Sequence, residues 1–301
     1  MKNFLDKFFS RSKNLDSISQ KFRQITLTTP ANKIFEAINN FSEKSEIRYV
    51  GGCVRKVIKK EYVDDIDLAT NLTPLEVCEA LKNKQISYYE TGIEHGTITA
   101  IIDEYKYEIT SLRKDVSTDG RHAEVEFSLD WKEDASRRDF TINSIYADGD
   151  GNLFDPFNGK KDLEEGYINF IGNAEKRIQE DYLRILRFFR FHCEHSPDHI
   201  SESELLLIKK HINGLKKVSK ERLWIELKNI IEHKNSSYIL KKMQDTGLFS
   251  VVFEGIIVEK SFEKLNNNLV NLNLSGTNMC KLAILLNNDC LLYTSPSPRD
   301  R

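Results

Sequence analysis

The chain has 301 residues, a formal net charge of −2 and 30% charged residues, which is typical of a globular protein of about two domains. Five scattered cysteines without a C-x-x-C pair indicate neither a disulfide framework nor a zinc site. No apolar run approaches the roughly 18 residues of a membrane span, and the N-terminus lacks a signal-peptide core. We therefore expect a cytoplasmic protein with no membrane partner.

Short β-branched runs alternate with helical stretches between residues 47 and 170. The pattern predicts strands near 48–50, 66–69 and 87–89, followed by a hairpin from 97–102 to 107–112. Thr73, Pro74 and Glu76 stand in the order of helix cap, first helical residue and capping-box partner. This part of the chain therefore predicts a small mixed sheet with helices.

Helical periodicity replaces the strand signals from about residue 173. It predicts helices at 174–192, 203–212, 219–232 and 236–246, with Gly247 ending the last one. Between residues 205 and 260 eleven Lys and Arg accompany six Asp and Glu, an excess of 11 − 6 = +5. Such an excess suits phosphate contacts, although solvated lysines on helix exteriors explain it equally well.

The glycine pair Gly51-Gly52 lies between a predicted strand and a predicted helix. Free backbone N–H groups at the start of such a helix form a site for phosphate. Arg55, one turn into the helix, would add a guanidinium to the same phosphate. A tight turn without a ligand is the alternative, and a glycine pair alone favours it.

Asp65 and Asp67 occupy positions i and i+2 of a predicted strand, so both carboxylates would point to one face. Two acids on one face are unfavourable unless a cation neutralises them. Magnesium ions that bridge a triphosphate would provide that charge. A solvated edge strand is the alternative interpretation of the same pattern.

Asp181 and Arg184 are three residues apart within the predicted helix 174–192 and would be neighbours on one helical face. The pair offers a hydrogen-bond acceptor beside a donor, which matches the pairing edges of cytosine and adenine. Uracil and guanine present the reverse pattern and would be rejected. Arg187 and Arg190 continue the same stripe. A structural ion pair is the alternative.

Seven segments, taken in order, resemble the signature of the class II tRNA nucleotidyltransferases and bacterial poly(A) polymerases, within the polymerase-β-like nucleotidyltransferase superfamily. The matching segments are GGCVR at 51–55, DIDLAT at 65–70, EITSLR at 108–113, the mobile-loop sequence at 119–127, RRDFTINS at 137–144, DPFNG at 155–159 and EDYLRILRF at 180–188. The resemblance implies an α+β fold in which a polymerase-β-like head precedes an all-helical body. We divide the chain into an extension (1–25), the catalytic head (26–172), a body for nucleotide selection and tRNA binding (173–290) and a flexible or non-native tail (291–301).

The resemblance also implies a template-independent enzyme that uses Mg²⁺ to add C and A from CTP and ATP to the 3′ end of tRNA. Asp65 and Asp67 would be catalytic and metal-binding, and Glu108 is a candidate third carboxylate. The nucleotide contacts would come from Gly51, Gly52, Arg55, Arg138, Asp181, Arg184, Arg187 and Arg190. The candidates for contacts to the tRNA backbone are Lys209, Lys210, Lys216, Lys217 and Lys220. No protein partner is predicted.

Three alternatives stay open: a bacterial poly(A) polymerase, an enzyme that adds only CC or only A, and an RNA-binding protein whose catalytic head has decayed. Two positions depart from the family pattern. Lys56 stands where the family usually has an acid after the Gly-Gly-x-Val-Arg motif, and the usual glycine is missing from residues 58–61. These departures affect the predicted salt bridges near the helix and leave the two carboxylates intact.

Overall fold

A computed structural model describes residues 17–118, 123–253, 256, 258, 260–271 and 278–285. The predicted tail and part of the mobile-loop segment lie outside these residues. Among those described, residues 17–118, 123–165 and 169–172 form a first compact unit, and residues 166–168 and those from 173 onward form a second. No helix within these ranges is long and apolar enough to cross a membrane.

The first unit is built on a seven-stranded mixed sheet. In chain order its strands are β1 (Ile47–Val50), β2 (Asp67–Thr70), β3 (Ser87–Gly92), β4 (Thr97–Ile102), β5 (Tyr105–Ser111), β8 (Tyr146–Ala147) and β9 (Leu153–Phe154). Their order across the sheet is β3-β4-β5-β2-β1-β8-β9. Strands β2 and β5 are parallel, and the other neighbouring pairs are antiparallel. A separate hairpin joins β6 (Arg113–Thr118) to β7 (Ala123–Phe127). The predicted mixed sheet is confirmed.

Six helices accompany the sheet in the described part of the first unit. They are α1 (Ser17–Thr28), α2 (Ala31–Asn39), α3 (Gly52–Ile58), α4 (Pro74–Asn83), α5 (Trp131–Arg137) and α6 (Gly159–Glu165). The capping box of α4 forms as predicted, because Thr73 and Glu76 each accept a backbone N–H from the other. The predicted boundary after residue 25 falls inside α1, since that helix runs from Ser17 to Thr28, and Phe22 and Ile25 within it are buried.

Strand β1 carries the core on both of its faces. Tyr49 packs against Phe22 and Phe35, with ring centroids 5.1 and 4.9 Å apart. Val50 belongs instead to a cluster with Trp131 and Tyr146. Because successive residues of a strand point to opposite faces, this packing fixes the orientation of the chain just before Gly51.

All regular elements described in the second unit are helical. They are α7 (Ala174–Glu180), α8 (Leu183–His195), α9 (Glu202–His211), α10 (Lys220–Glu232), α11 (Ser236–Asp245), α12 (Leu248–Val252), α13 (Lys260–Asn271), α14 (Asn278–Leu285) and two 3₁₀ segments, Pro197–His199 and Ile212–Lys217. Gly247 ends the helix before it in a left-handed conformation, with φ = 82°, as predicted.

The prediction of one continuous helix over 174–192 is wrong. The helix breaks between α7 and α8, where Asp181 is extended with φ = −149° and ψ = 106°. Its carboxylate Oδ1 accepts the backbone N–H of Leu183 at 3.0 Å. An aspartate can bond to nearby backbone in this way in place of helical hydrogen bonding. Asp181 therefore lies at a helix junction.

Candidate active site

Asp67 is the centre of an acidic cluster in the first unit. It is the first residue of β2 and lies in parallel register with Glu108 of β5, so both side chains leave the sheet on one face. Asp65 lies two residues earlier, just before the strand. Burial raises the pKa of Asp67 to about 6, with further contributions from the charges of Asp65 and Glu108. The cluster thus concentrates negative charge that favours a cation.

The glycine pair lies directly beside this cluster. Gly51 has φ = +72°, which L side chains rarely adopt, and a Cβ added there would lie 3.3 Å from Asp67 Oδ2. Helix α3 starts at the next residue, Gly52. The structure therefore brings together the turn that sequence analysis assigned to phosphate and the carboxylate that it assigned to metal.

Arg55 is held by residues of the segment 137–144. Its Nη1 donates to Asn143 Oδ1 at 2.5 Å, and Asn143 Nδ2 donates to Asp139 Oδ1 at 2.8 Å. The charge of Arg55 also lowers the pKa of Asp67, which opposes the effect of burial. Sequence analysis did not identify Asn143 as a site residue, although it lies within one of the matching motifs.

Arg138 is bound to a buried carboxylate that sequence analysis missed. Asp134 Oδ2 accepts from Arg138 Nη2 at 3.1 Å and from the hydroxyl of Tyr146 at 2.6 Å. Burial alone would raise the pKa of Asp134, but the charges of Arg138 and Arg137, with the Tyr146 hydroxyl, lower it to about 2. The guanidinium of Arg138 is therefore fixed in place, and its contact with a nucleotide stays a prediction.

The two departures from the family pattern have local explanations. Lys56 forms an ion pair with the exposed carboxylate of Asp64. Lys60 has φ = +60°, so a lysine adopts the conformation for which a glycine would be suited. The N–H of Glu61 reaches the carbonyl of Lys56 at 2.8 Å and closes the end of α3. The helix end therefore keeps its shape without the glycine.

In the second unit, Asp181 and Arg184 have separate partners. Asp181 Oδ2 accepts from Arg222 Nη2 of α10 at 2.7 Å. Arg184 Nη1 donates to the carbonyl of Arg177 and to Glu180 Oε2, both at 2.7 Å. The predicted shared helical face is wrong, since Asp181 lies at the junction before α8. The pair remains close in sequence, with the N–H of Arg184 bonded to the carbonyl of Asp181 at 3.1 Å.

Arg187 and Arg190 converge on one carboxylate of α10. Glu226 Oε1 accepts from Arg187 Nη1 at 3.3 Å, and its Oε2 accepts from Arg190 Nε at 2.5 Å. The side chain of Glu226 is only 8% exposed. Sequence analysis did not identify Glu226 or Arg222, which become recognisable only through contacts between distant parts of the chain.

Two of the five lysines proposed for contacts to the tRNA backbone have intramolecular neighbours. Lys210 Nζ donates to Glu175 Oε1 at 2.6 Å. Lys217 Nζ lies 5.6 Å from the ring centroid of Tyr182. All five lysines lie in α9, the following 3₁₀ segment or the first turn of α10, and all are exposed.

The candidate ligands for a metal ion in the first unit are the carboxylates of Asp65 and Asp67. Within the described ranges, no group of three or more His, Cys, Asp or Glu side chains has the arrangement of a complete metal site. Magnesium is commonly bound by one or two carboxylates together with substrate phosphates and water. Asp65 and Asp67 fit that mode of binding.

Two family models match the chain. The "Poly A polymerase head domain" matches residues 47–169, and the "Probable RNA and SrmB-binding site of polymerase A" matches residues 199–259. The first match contains both aspartates, the glycine pair and Arg138. The second contains Arg222 and Glu226.

Curated proteins and solved structures extend the comparison. The chain is 42% identical to the CCA tRNA nucleotidyltransferase 1, mitochondrial, of Mus musculus over 238 residues, which cover 78% of this chain and 54% of that protein. It is 37% identical to the CCA-adding enzyme of Staphylococcus haemolyticus over 210 residues, 69% of this chain and 51% of that protein. The crystal structure of the Bacillus stearothermophilus CCA-adding enzyme in complex with CTP superposes with a TM-score of 0.64 at 28% identity, covering 72% of this chain and 52% of that one.

Fold and sequence together define a protein with a head of the polymerase-β-like nucleotidyltransferase type. The chain spans about half the length of the curated relatives that it matches. It belongs to the family of class II tRNA nucleotidyltransferases and bacterial poly(A) polymerases.

Proposed function

We propose that the chain is a template-independent nucleotidyltransferase that adds C and A to the 3′ end of tRNA from CTP and ATP. The observation that carries this proposal is the acidic cluster around Asp67, whose pKa is raised to about 6 beside the left-handed turn at Gly51. Carboxylates whose like charges oppose one another gain most from a bound cation. The names of the mouse and staphylococcal relatives support the choice of CCA addition.

Asp65 and Asp67 would hold Mg²⁺, which activates the attacking hydroxyl and neutralises the departing pyrophosphate when it is bound. The 3′-hydroxyl of tRNA attacks the α-phosphorus of CTP or ATP, and the bond to the β-phosphate breaks. The backbone after Gly51 and the guanidinium of Arg55 would bind the triphosphate. Arg138, fixed by Asp134, would add a further positive charge.

In the second unit, Asp181 and Arg184 would select the base. Asp181 would accept the amino group of cytosine or adenine, and Arg184 would donate to the ring nitrogen beside it. Arg187 and Arg190, held by Glu226, would complete the nucleotide contacts. We expect Asp181→Ala to relax base choice more than it slows the reaction, and unchanged rejection of UTP and GTP would contradict the assignment.

The test is product length on three tRNA substrates that end before CCA, after C and after CC. Each is incubated with Mg²⁺ and with CTP, ATP or both, with a heat-inactivated sample as the control. Addition that stops once CCA is complete supports the proposal. Stopping at CC, or acting only on the CC-ended substrate, identifies a partial enzyme, and no addition to any substrate contradicts the proposed activity.

A bacterial poly(A) polymerase is the second candidate, because both matching family models carry the name of that enzyme. It would use ATP alone and produce long A tracts in the same assay. We propose the cytoplasm as the compartment, although the mouse relative is mitochondrial by name. Fractionation of cells that express the tagged protein distinguishes the two locations.

A further inference from the structure

A row of side chains crosses the sheet from the acidic cluster to an exposed tyrosine. Asp67 of β2 is in register with Glu108 of β5, and Glu108 lies opposite Thr99 of β4. Thr99 in turn lies opposite Tyr89 of β3. Residues directly opposite each other on neighbouring strands point to the same face. Tyr89, which is 60% exposed, therefore projects from the same face as the two carboxylates.

The face that carries this row is open over β3, β4 and β5. Helix α4 packs against β3 and β4, and the residues on the other side of β4, such as Ile98 and Ala100, are buried. On the face of Tyr89, by contrast, every residue of the three strands whose burial is described is exposed or half-buried. This side of the sheet is therefore a polar surface that continues from the acidic cluster.

The same face is closed on the other side of Asp67. Val50 of β1 lies opposite Asp67 and is buried in a cluster with Trp131 and Tyr146. Asp67 therefore lies at the boundary between a packed half and an open half of this face.

The nucleotide assigned above occupies the β1 side of this boundary. Gly51 follows β1 directly, and the helix that carries Arg55 begins at the next residue. In phosphoryl transfer the attacking and departing oxygens lie roughly in line, on opposite sides of the phosphorus. If the turn at Gly51 holds the departing pyrophosphate, the attacking hydroxyl approaches from the β5 side, where the face is open.

We propose that the open face of β3, β4 and β5 binds the unpaired 3′ end of the tRNA acceptor, with Tyr89 stacking on one of its bases and Lys106 contacting a phosphate. The inference rests on the proposed function, because it takes tRNA as the substrate. Lys106 is exposed and lies two residues before Glu108 on β5, so it projects from the same face.

The chemistry of the face suits unpaired RNA. Proteins hold such segments by stacking bases on aromatic rings and by placing cations along the backbone. Three strand spacings of about 4.8 Å separate Asp67 from Tyr89, a span of about 14 Å. Tyr89 is therefore placed for a base that precedes the reacting nucleotide.

The first experiment compares Tyr89→Ala and Tyr89→Phe with wild type. The matched control is Tyr105→Ala, because Tyr105 is 49% exposed and lies on the opposite face of β5 from Lys106. The readout is the Kd for a CC-ended tRNA without nucleotide, followed by KM for that tRNA and for ATP. We expect Tyr89→Ala to raise Kd and KM for tRNA about tenfold and to leave KM for ATP unchanged. Tyr89→Phe keeps the ring and should stay within about twofold of wild type, as should Tyr105→Ala.

A second experiment identifies the stacked base. Three CC-ended tRNAs each lack one base, at the last, second-last or third-last position. With wild type, one of them should bind about tenfold more weakly than the intact tRNA. With Tyr89→Ala the same tRNA should bind no more weakly than the intact one, because the interaction is already lost. Lys106→Gln should lower the slope of log Kd against log salt concentration by about 0.7, the value for one phosphate contact on a single strand.

An unchanged Kd in Tyr89→Ala, or an equal loss in Tyr105→Ala, would overturn the inference. So would a wild-type dimer that Tyr89→Ala dissociates in sedimentation, because a second copy of the chain would then cover this face. If thermal melting shows that Tyr89→Ala is unfolded, the tRNAs that lack a base decide with wild type alone, and equal binding of all of them contradicts the stacking. The binding measurements need no turnover, so a chain that binds as expected but adds no nucleotide contradicts only the proposed function.

Discussion

The acidic cluster of the first unit and the nucleotide-contact residues assigned in the second arrange their charged side chains in opposite ways. In the first, Asp65 and Glu108 add their negative charges to that of Asp67 and help to raise its pKa to about 6. In the second, the residues to which we assign nucleotide contacts form ion pairs with side chains of opposite charge. Asp181, for example, pairs with Arg222. The first arrangement is unfavourable until a cation binds, whereas the second fixes side chains in position. On our proposal, the first unit would use this arrangement to bind metal, and the second would use its ion pairs to present a fixed pattern of donors and acceptors.

The largest expected effect comes from removing the carboxylates of the first unit. Asp65→Ala or Asp67→Ala should lower nucleotide incorporation by at least about a thousandfold, because the ligands for the metal are lost. The measurement is single-nucleotide incorporation with Mg²⁺. Asp64→Asn is the matched control, since Asp64 is exposed and paired with Lys56, and it should keep near-normal activity. Near-normal turnover in either alanine variant would contradict the account.

Glu226→Gln tests whether the paired charges of the second unit stabilise it. The side chain of Glu226 is buried between two arginines, so we expect the free energy of unfolding to fall by about 1 to 3 kcal/mol. Glu232→Gln removes an exposed partner of Lys228 on the same helix and should cost about 0 to 1 kcal/mol. Urea denaturation at pH 7 measures both. Equal losses would mean that burial of the Glu226 cluster has no particular importance.

Asp67→Asn should stabilise the fold while it removes activity. A carboxyl group with a raised pKa destabilises the folded state wherever it is ionised, so the gain should be present above pH 6 and disappear as the pH falls toward about 4. At pH 8 without Mg²⁺ we expect roughly 1 to 2 kcal/mol of added stability, measured by urea denaturation. Asp64→Asn should bring no such gain. A loss of stability in Asp67→Asn at pH 8 would contradict the proposed crowding of charges.

The smallest effect concerns backbone strain in the first unit. Lys60 has φ = +60°, where glycine carries no steric cost. Lys60→Gly should therefore stabilise the chain by up to about 1 kcal/mol, after allowance for the greater freedom of glycine in the unfolded state. Lys59→Gly is the control, because Lys59 has the ordinary φ of −78° and the substitution should destabilise. Thermal melting distinguishes the two, and equal shifts would exclude strain at Lys60.

Local sequence signals predicted much of the fold, because they depend on contacts within a few residues. The capping box at Thr73 and the left-handed end at Gly247 are of this kind. The helix 174–192 was predicted without its break, because apolar periodicity continues past Asp181 while a side-chain bond to the N–H of Leu183 interrupts the backbone pattern. The aspartate is itself a local signal for such a break, because its side chain can bond to nearby backbone. The prediction followed the apolar periodicity instead.

The supporting residues of the site were missed for a different reason. Asn143 contacts Arg55 from 88 residues away, and Glu226 contacts Arg187 from 39 residues away. Such pairs carry no spacing that a single sequence reveals. The reacting groups could be proposed from motifs, whereas the residues that hold them became evident only from the fold.

The contrast between the two units is tested most directly by titrating the carboxyl carbon of Asp67 by ¹³C NMR, with Asp67→Asn identifying the signal. Without divalent cations the account predicts a pKa of about 6, and addition of Mg²⁺ should lower it because the ion stabilises the charged form. A pKa near the ordinary value of about 3.9 that does not respond to Mg²⁺ would contradict the assignment of this cluster to metal binding.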